Sequence, residues 1–309
     1  MLSVETRTAY PLITEQLVRG DVQTSAPKAV IPKNPKPGRP KGSINKNRKA
    51  VELSPFQIQL QACIRAALTM IGLDLGIVYF VYDGALGNNA GLQTVKQAGL
   101  HLICKLRHDS KLYFPYTGEY SGKGKPRKYG EKLTLDTLTD RHRKSETVEK
   151  SIRTCVYQAQ VWHKNFPELL NVAVIVKTNL KTGRTAKVLL FSDDLTLASE
   201  ALIDYYSLRF QIEFNFRDAK QYWGLEDFMN VKETQVNNAA NFSLFMVTFS
   251  QLLSAKIEWG SMLDLKTIFR ARKYTRRIIN SLGKNDDTFL IDDRIFQAAE
   301  IGRIHARAA

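Results

Sequence analysis

Two continuous apolar runs near the middle of the chain predict the strands of a parallel pair. Residues 77–82 and 100–106 are almost entirely aliphatic or aromatic, which is typical of strands that are buried on both faces. Residues 89–98, which lie between these runs, predict a short helix. A strand, a helix and a second strand at this spacing form a βαβ unit, so the pattern favours parallel pairing.

The pattern on either side of this unit predicts helices and a β-rich segment. A helix is expected to begin at Ser54 and Pro55, an N-cap residue and a first-turn proline, and to end near residue 71. Residues 107–150 are polar and basic and contain a predicted loop. Mostly antiparallel strands are predicted at 151–162, 171–178 and 186–192, and further helices at 199–222 and 236–255.

The charge of the chain indicates a polyanionic partner. A formal charge of +15 and a pI near 9.7 favour nucleic acid first and an anionic membrane surface second. The three cysteines are widely spaced, which argues against a zinc site and fits a reducing cytosol. The N-terminus lacks the apolar run of a signal peptide, and the longest apolar stretches are interrupted by polar residues or glycine. A hydrophobic content of 44% excludes wholesale disorder.

Four polar residues are spaced so that one helix would present them on one face. Tyr206, Arg209, Glu213 and Lys220 follow each other at offsets of 3, 7 and 14 residues from the first. A continuous helix over 199–222 would therefore align all four side chains. Arginine offers a planar fork to phosphate, and a carboxylate is a hard oxygen ligand for a divalent cation. The stripe predicts a site for phosphate and a metal ion.

A second candidate carboxylate, Asp83, follows the first apolar run. Sites in α/β sheets form at the carboxyl ends of strands, so Asp83 occupies a favoured position. It would share Mg²⁺ or Mn²⁺ with Glu213 if the fold brings the two carboxylates together. The alternatives are an ordinary turn aspartate at Asp83 and a helix-surface carboxylate, paired with Arg209 or Arg217, at Glu213.

Residues 77–250, which include Asp83 and the four residues of the stripe, resemble the catalytic core of bacterial insertion-sequence transposases of the DDE class. Tyr206, Arg209, Glu213 and Lys220 fill the Tyr-Arg-Glu-Lys signature of one branch of these mobile elements. Asp83-Gly84 resembles the block around the second catalytic aspartate. The resemblance implies an α/β, RNase H-like mixed sheet flanked by helices, with a β-rich insertion before the glutamate helix. It also implies metal-dependent cleavage and transfer of DNA strands in transposition.

The resemblance assigns a role to each matching residue. Asp83 and Glu213 are implied to be catalytic ligands of Mg²⁺ or Mn²⁺. Tyr206, Arg209 and Lys220 are implied to contact phosphates of the transposon end. The implied partners are double-stranded DNA, as transposon ends and target, and a second copy of the chain. The implied location is the bacterial cytoplasm, in association with the nucleoid.

The resemblance also divides the chain into segments. The core would begin with a remnant strand and a short helix and would continue in two parts. The β-rich insertion would separate these two parts, and the second would contain the signature helix. A basic proline-rich linker and a basic tail would complete the chain. In order, the segments are 1–21 (remnant), 22–53 (linker), 54–106 (first part), 107–198 (insertion), 199–255 (second part) and 256–309 (tail).

One family residue has no match. The first aspartate should follow an earlier apolar strand, and neither Asp21 nor Asp74 does. Residues 1–12 instead resemble the last strand of the meander that should follow that aspartate. We therefore expect a truncated, inactive copy without its first strands and first aspartate. The alternatives are a transposase-derived DNA-binding protein without catalysis and a structure-specific nuclease, which would need the complete acidic triad.

Two basic segments are secondary candidates for DNA contact. The run 36–42 contains Gly-Arg-Pro, the core of the AT-hook, in which Arg39 and Lys41 would enter a narrow minor groove. Nonspecific phosphate contact by a solvated linker explains the same residues. One helical face is expected to carry four cations that contact the DNA backbone or remain solvated, namely Lys266, Arg270, Lys273 and Arg277.

Overall fold

A computed structural model describes residues 1–15, 48–72, 75–120, 122, 124–229, 231–257 and 261–281. These residues form two compact units. The helical unit combines the described residues of 1–16 and 210–309, and the sheet unit comprises those of 17–209. Most of the predicted linker lies outside the described residues, including Arg39 and Lys41. Asp21, Asp74 and the end of the tail, residues 282–309, also lie outside them.

The elements follow each other along the chain in three groups. The helical unit begins with β1 (Leu2–Ser3) and β2 (Thr8–Ala9). The sheet unit contains α1 (Pro55–Ile71), β3 (Tyr79–Val81), α2 (Asn89–Lys96), β4 (His101–Leu106), β5 (Leu112–Pro115), β6 (Tyr129–Lys132), β7 (Arg143–Glu149), β8 (Ile152–His163), β9 (Leu169–Asn179), β10 (Thr185–Ser192) and α3 (Ser199–Leu208). The helical unit ends with α4 (Gln211–Trp223), α5 (Glu233–Ile257) and α6 (Met262–Ser281). None of the helices within the described residues is both long and apolar enough to cross a membrane.

The sheet unit is built on one mixed sheet with the strand order β3-β4-β10-β9-β8-β5-β6, in which β7 also pairs with β8. The β3–β4 pair is parallel, which confirms the predicted βαβ unit. The β4–β10, β10–β9 and β9–β8 pairs are antiparallel, as the spacing of the later strands predicts. The architecture is the mixed sheet with flanking helices that the sequence predicts.

Helices cover both faces of this sheet. On β4, Leu102 packs in a cluster with residues of α1 and α2, and the next residue, Ile103, packs in a second cluster with α3. Both side chains are fully buried. Since successive side chains of a strand point to opposite faces, a strand covered on both sides needs the continuous apolar run seen here. Ser54 caps α1 in a capping box with Gln57, as its position before Pro55 predicts.

Two sequence predictions differ from the structure in this unit. The first apolar run forms a strand of three residues, β3, which is half-buried rather than buried on both faces. Among the described strands β3 pairs with β4 alone, so its outer edge lacks a covering strand. The polar region 107–150 contains β5, β6 and β7. The sequence of β7 contains one apolar residue, Val148, and therefore lacks the apolar alternation that predicts a strand. All residues of β7 are exposed.

The predicted helix over 199–222 is wrong, because α3 ends at Leu208 and α4 begins at Gln211. The Arg209 amide donates to the Tyr206 carbonyl and the Glu213 amide to the Phe210 carbonyl, both over three residues. This tighter bonding ends the regular helix. The signature is therefore divided, with its first two residues at the end of the sheet unit and its last two on α4.

The helical unit holds the start of the chain by side-chain hydrogen bonds. The buried Asn215 of α4 donates to the carbonyl of Ala9, and Asn241 of α5 both donates to and accepts from the backbone of Thr14. Residues 1–12 contain the β1–β2 hairpin, which forms a two-stranded sheet.

A polar cluster ties the amino ends of β3 and β4 to the turn after β10. The Tyr79 hydroxyl donates to Asp194 at 2.7 Å, and His101 Nδ1 lies 2.9 Å from Asp193. Burial raises the pKa of Tyr79 to about 12, and the Asp194 carboxylate acts in the same direction. The protonated tyrosine therefore fastens the edge strand to its neighbours.

Replacing Tyr79 with phenylalanine is expected to remove a tyrosine ionisation near pH 12 and to flatten the loss of stability in alkali. A folded-state pKa above the ordinary value stabilises the fold fully below about pH 10, and this contribution is lost as the pH rises through about 12. A titration followed by tyrosinate absorbance measures the ionisation. Denaturant unfolding at about pH 9 and pH 11 measures the loss of stability. Tyr274→Phe, at an exposed position on α6, is the control. A Tyr79→Phe protein that lost only an ionisation near pH 10 would contradict the assignment.

Candidate functional site: a basic pocket beside Asp83

Asp83 lies in a tight turn directly after β3. Its carboxylate accepts a hydrogen bond from the Ala85 amide at 2.8 Å and caps the single 3₁₀ turn Gly84–Leu86. The turn lies against the end of β4, where a Cβ added at Gly87 would collide with the carbonyl of Lys105. Glycine is therefore needed for this close approach. Asp83 has a capping role, and the same turn presents it at the edge of the sheet.

A pocket of about 670 Å³ opens beside this turn. Four parts of the sheet unit line it: the Asp83 turn, the end of β4 with the loop that follows, β10, and the end of α3. The polar side chains that line it are Asp83, Lys105, Arg107, His108, Asp109, Lys187, Tyr206 and Arg209. Three predicted site residues, Asp83, Tyr206 and Arg209, thus line one pocket.

The pocket carries more positive than negative charge. Lys105, Arg107, Lys187 and Arg209 contribute four cations, and Asp83 and Asp109 contribute two carboxylates. Such a concave basic surface concentrates anions. The pattern of the sequence did not single out Lys105, Arg107 or Lys187. The signal available was a lysine interrupting each of two apolar runs, at Lys105 and at Lys187.

Tyr206 lies close to Arg209, and its pKa depends on Arg209 and on Asp83. The Arg209 guanidinium carbon lies 6.0 Å from the centre of the Tyr206 ring. Burial raises the pKa of Tyr206, Arg209 opposes this effect, and Cys104 and Asp83 add to it. Since the net shift is upward, the hydroxyl keeps its proton and can donate a hydrogen bond.

Cys104 lies next to Asp83 and is fully buried. Its thiol donates to the carbonyl of Asp83 at 2.7 Å. Burial raises the pKa of this thiol to about 12, so the reactive thiolate is disfavoured. The residue therefore stabilises the Asp83 turn through this hydrogen bond and is not suited to act as a nucleophile.

The other two signature residues lie on α4, in the helical unit. Glu213 is in the first turn of α4 and Lys220 is in its last turn, positions where a carboxylate and a cation stabilise a helix. Lys220 forms an ion pair with Glu226 at 2.7 Å. These observations give both residues a structural role on α4 itself.

The pocket alone does not fit a complete metal site. Across the described ranges, no group of three or more His, Cys, Asp and Glu side chains is placed to hold a metal ion. The donors within the pocket are two carboxylates beside four cations. This set suits an anionic oxygen ligand such as a phosphate better than a bare divalent cation.

The other basic candidate is a stripe on α6. Lys266 is turned inward, because it donates to the carbonyl of Tyr222 at 2.6 Å and burial lowers its pKa. Arg270, Lys273 and Arg277 are exposed on the same helix. Lys266 is thus a packing residue, and the other three remain candidates for contact with a polyanion.

Comparison with known protein families identifies one match. The profile of the family described as DDE superfamily endonuclease matches residues 4–167, slightly more than half of the chain. The matched region contains Asp83 and the strands from β3 to β8, and it ends before the signature residues. No curated protein matches the chain.

Proposed function

Since the chain belongs to the DDE superfamily endonucleases, we propose that it is a DNA transposase of this class and that its strand-end pocket binds the backbone of transposon-end DNA. The proposal names the finer branch, the one with the Tyr-Arg-Glu-Lys signature, on the strength of Tyr206, Arg209, Glu213 and Lys220. A family of endonucleases acts on phosphodiesters, so a phosphate is the group that the pocket would bind.

The observation that carries the proposal is the gathering of cations around Asp83. Duplex DNA presents one negative charge about every 1.7 Å along its axis. Arg209 offers a two-pronged donor to one phosphate, and Lys105, Arg107 and Lys187 supply positive charge around it. The protonated Tyr206 hydroxyl adds a neutral donor to a phosphate oxygen.

Asp83 and Glu213 are our candidates for the ligands of Mg²⁺ or Mn²⁺, the kind of ion that this superfamily generally uses. The residues of this chain bind and orient the DNA. Asp83 is held by the Ala85 amide and the turn against β4, while Arg209 and Tyr206 face the same pocket.

The predicted inactivity of this copy is tested together with DNA binding. A labelled duplex carrying the terminal repeats of the flanking element is incubated with the full chain in Mg²⁺ or Mn²⁺, beside Glu213→Gln. We expect binding that weakens steeply as salt rises, without nicking. Nicking that disappears in Glu213→Gln would establish an active enzyme and overturn the predicted inactivity. A failure to bind the duplex at low salt would overturn the proposed function.

A transposase-derived DNA-binding protein is the second candidate, favoured by the basic pocket and by the net charge of +15. It would bind transposon ends or host DNA without ever cleaving them. Competition between end duplexes and random duplexes separates two types of binding, that of a protein selective for ends and that of a general DNA-binding protein. The second copy of the chain and the nucleoid association remain predictions that size measurement on DNA and cell fractionation would test.

A further inference from the structure

A second basic surface lies at the other side of the sheet unit. It comprises the β5–β6 hairpin and the end of β8, and we name it the hairpin patch. Its residues are Tyr113, Tyr116, Arg127, Lys128, Trp162 and Lys164. In the strand order, β5 lies five places from β3, the strand that leads to Asp83. At about 4.8 Å per strand, the patch and the Asp83 turn are separated by on the order of 24 Å across the strands, and by more when the offset along the strands is included.

Each cation of the patch lies over an aromatic ring. Lys128 Nζ is 3.3 Å from the centre of the Trp162 ring, the Arg127 guanidinium carbon is 4.8 Å from that of Tyr116, and Lys164 Nζ is 5.1 Å from that of Tyr113. A ring attracts a cation but does not neutralise it. Arg127 Nε also donates to the carbonyl of Tyr129 at 3.0 Å and Lys128 Nζ to that of Pro167 at 3.4 Å. The rings and these carbonyls position the cations without neutralising them, and the donors that remain can bind an anion.

Within the described part of the chain, no ion pair joins a carboxylate to Arg127, Lys128 or Lys164. Burial lowers the pKa of Lys128, Tyr129 opposes this shift, and the nearby cations Arg48 and Lys125 add to it. Several like charges therefore lie close together on this surface, and a polyanion would relieve the repulsion between them.

We propose that the hairpin patch is a second DNA-contact surface, which binds the backbone of the same duplex whose phosphate occupies the pocket. The proposal rests on the proposed function, since it takes the occupant of the pocket to be DNA. A separation of about 24 Å corresponds to roughly seven base pairs at 3.4 Å per pair. Arg127 and Lys164 are exposed and Lys128 is half-buried. We expect the three cations to contact phosphates, so that the contact is independent of sequence.

The test compares duplexes of two lengths. A short duplex of about five base pairs, closed by a loop at one end so that it stays paired, is too short to span both surfaces, and one of about twenty base pairs is long enough. The triple variant Arg127→Gln, Lys128→Gln and Lys164→Gln is expected to weaken binding of the long duplex about tenfold. It should also reduce the slope of log K against log salt by about 2 to 3. Binding of the short duplex through the pocket should be unchanged.

The matched control is Lys177→Gln, Lys181→Gln and Arg184→Gln. It removes the same number of lysines and arginines from exposed positions around the β9–β10 turn. Circular dichroism verifies that both triple variants are folded. An equal loss for the two triple variants, an equal loss on both duplexes, or no loss from the patch variant would overturn the proposal.

Arg209→Ala and the patch variant together distinguish DNA binding at the pocket from DNA binding at the patch. If Arg209→Ala weakens binding and the patch variant does not, the pocket binds DNA and the patch does not. If no variant changes binding of either duplex, both proposals fall. A patch variant that binds DNA normally but loses an acidic protein partner would also overturn the proposal, because it would identify the occupant as protein.

Discussion

Replacing Arg209 with alanine is expected to weaken binding of transposon-end duplex by about 10- to 150-fold. This range corresponds to the roughly 1.5–3 kcal/mol of a hydrogen bond to a charged group. Arg209 lies at the end of α3 and lines the pocket with Asp83 and Tyr206. Its fork can grip two oxygens of one phosphate, so its loss removes both charge and geometry. Fluorescence anisotropy of a labelled duplex at fixed salt measures the change.

Two further variants show whether geometry or charge matters at this position. Arg209→Lys keeps the charge but not the fork, so it should recover only part of the affinity. Arg184→Ala removes an arginine from an exposed turn and should change binding less than twofold. Equal losses for Arg209→Ala and Arg184→Ala would show that net charge alone drives binding and would contradict the assignment of the pocket.

Replacing Gly87 with alanine is expected to destabilise the fold by about 2–3 kcal/mol and to weaken DNA binding at the pocket as well. The added methyl group would collide with the backbone carbonyl of Lys105, which is fixed in β4 and cannot move aside as a side chain would. The turn must therefore shift, and it carries Asp83 with it. Denaturant unfolding followed by circular dichroism gives the free energy of unfolding.

Gly84→Ala is the matched control, three residues earlier in the same turn. A Cβ at Gly84 would lie 3.6 Å from the same carbonyl, an ordinary contact distance. Its stability should change by less than about 1 kcal/mol, and its DNA binding should be close to that of the natural chain. Equal stability of the two variants would show that the turn does not lie tightly against β4.

Much of the sheet unit could be predicted because its signals are local. The apolar run 100–106 predicts a strand covered on both faces, and Leu102 and Ile103 are indeed buried in separate clusters. Ser54 and Pro55 predict the start of α1, since a cap and a first-turn proline act within one turn of helix. Asp83 was predicted at a strand end for the same kind of reason.

The helix over 199–222 was mispredicted because spacing in sequence does not prove continuity. The large apolar residues Phe210, Ile212, Phe214 and Phe216 recur every two positions, so they do not form one stripe at the helical period. All four are exposed. The Arg209 and Glu213 amides bond to carbonyls three residues earlier instead of four, so the regular helix ends at Leu208 and begins again at Gln211.

The sequence by itself determined the βαβ unit, the cap of α1, the position of Asp83 and the basic character of the chain. Only the tertiary structure decided which cations surround Asp83. Lys105 and Lys187 are far apart in sequence, and the antiparallel register of β4 and β10, with Leu190 opposite Lys105, brings their strands together. Strand pairing depends on contacts between residues that are distant along the chain, so periodicity and local spacing cannot predict it.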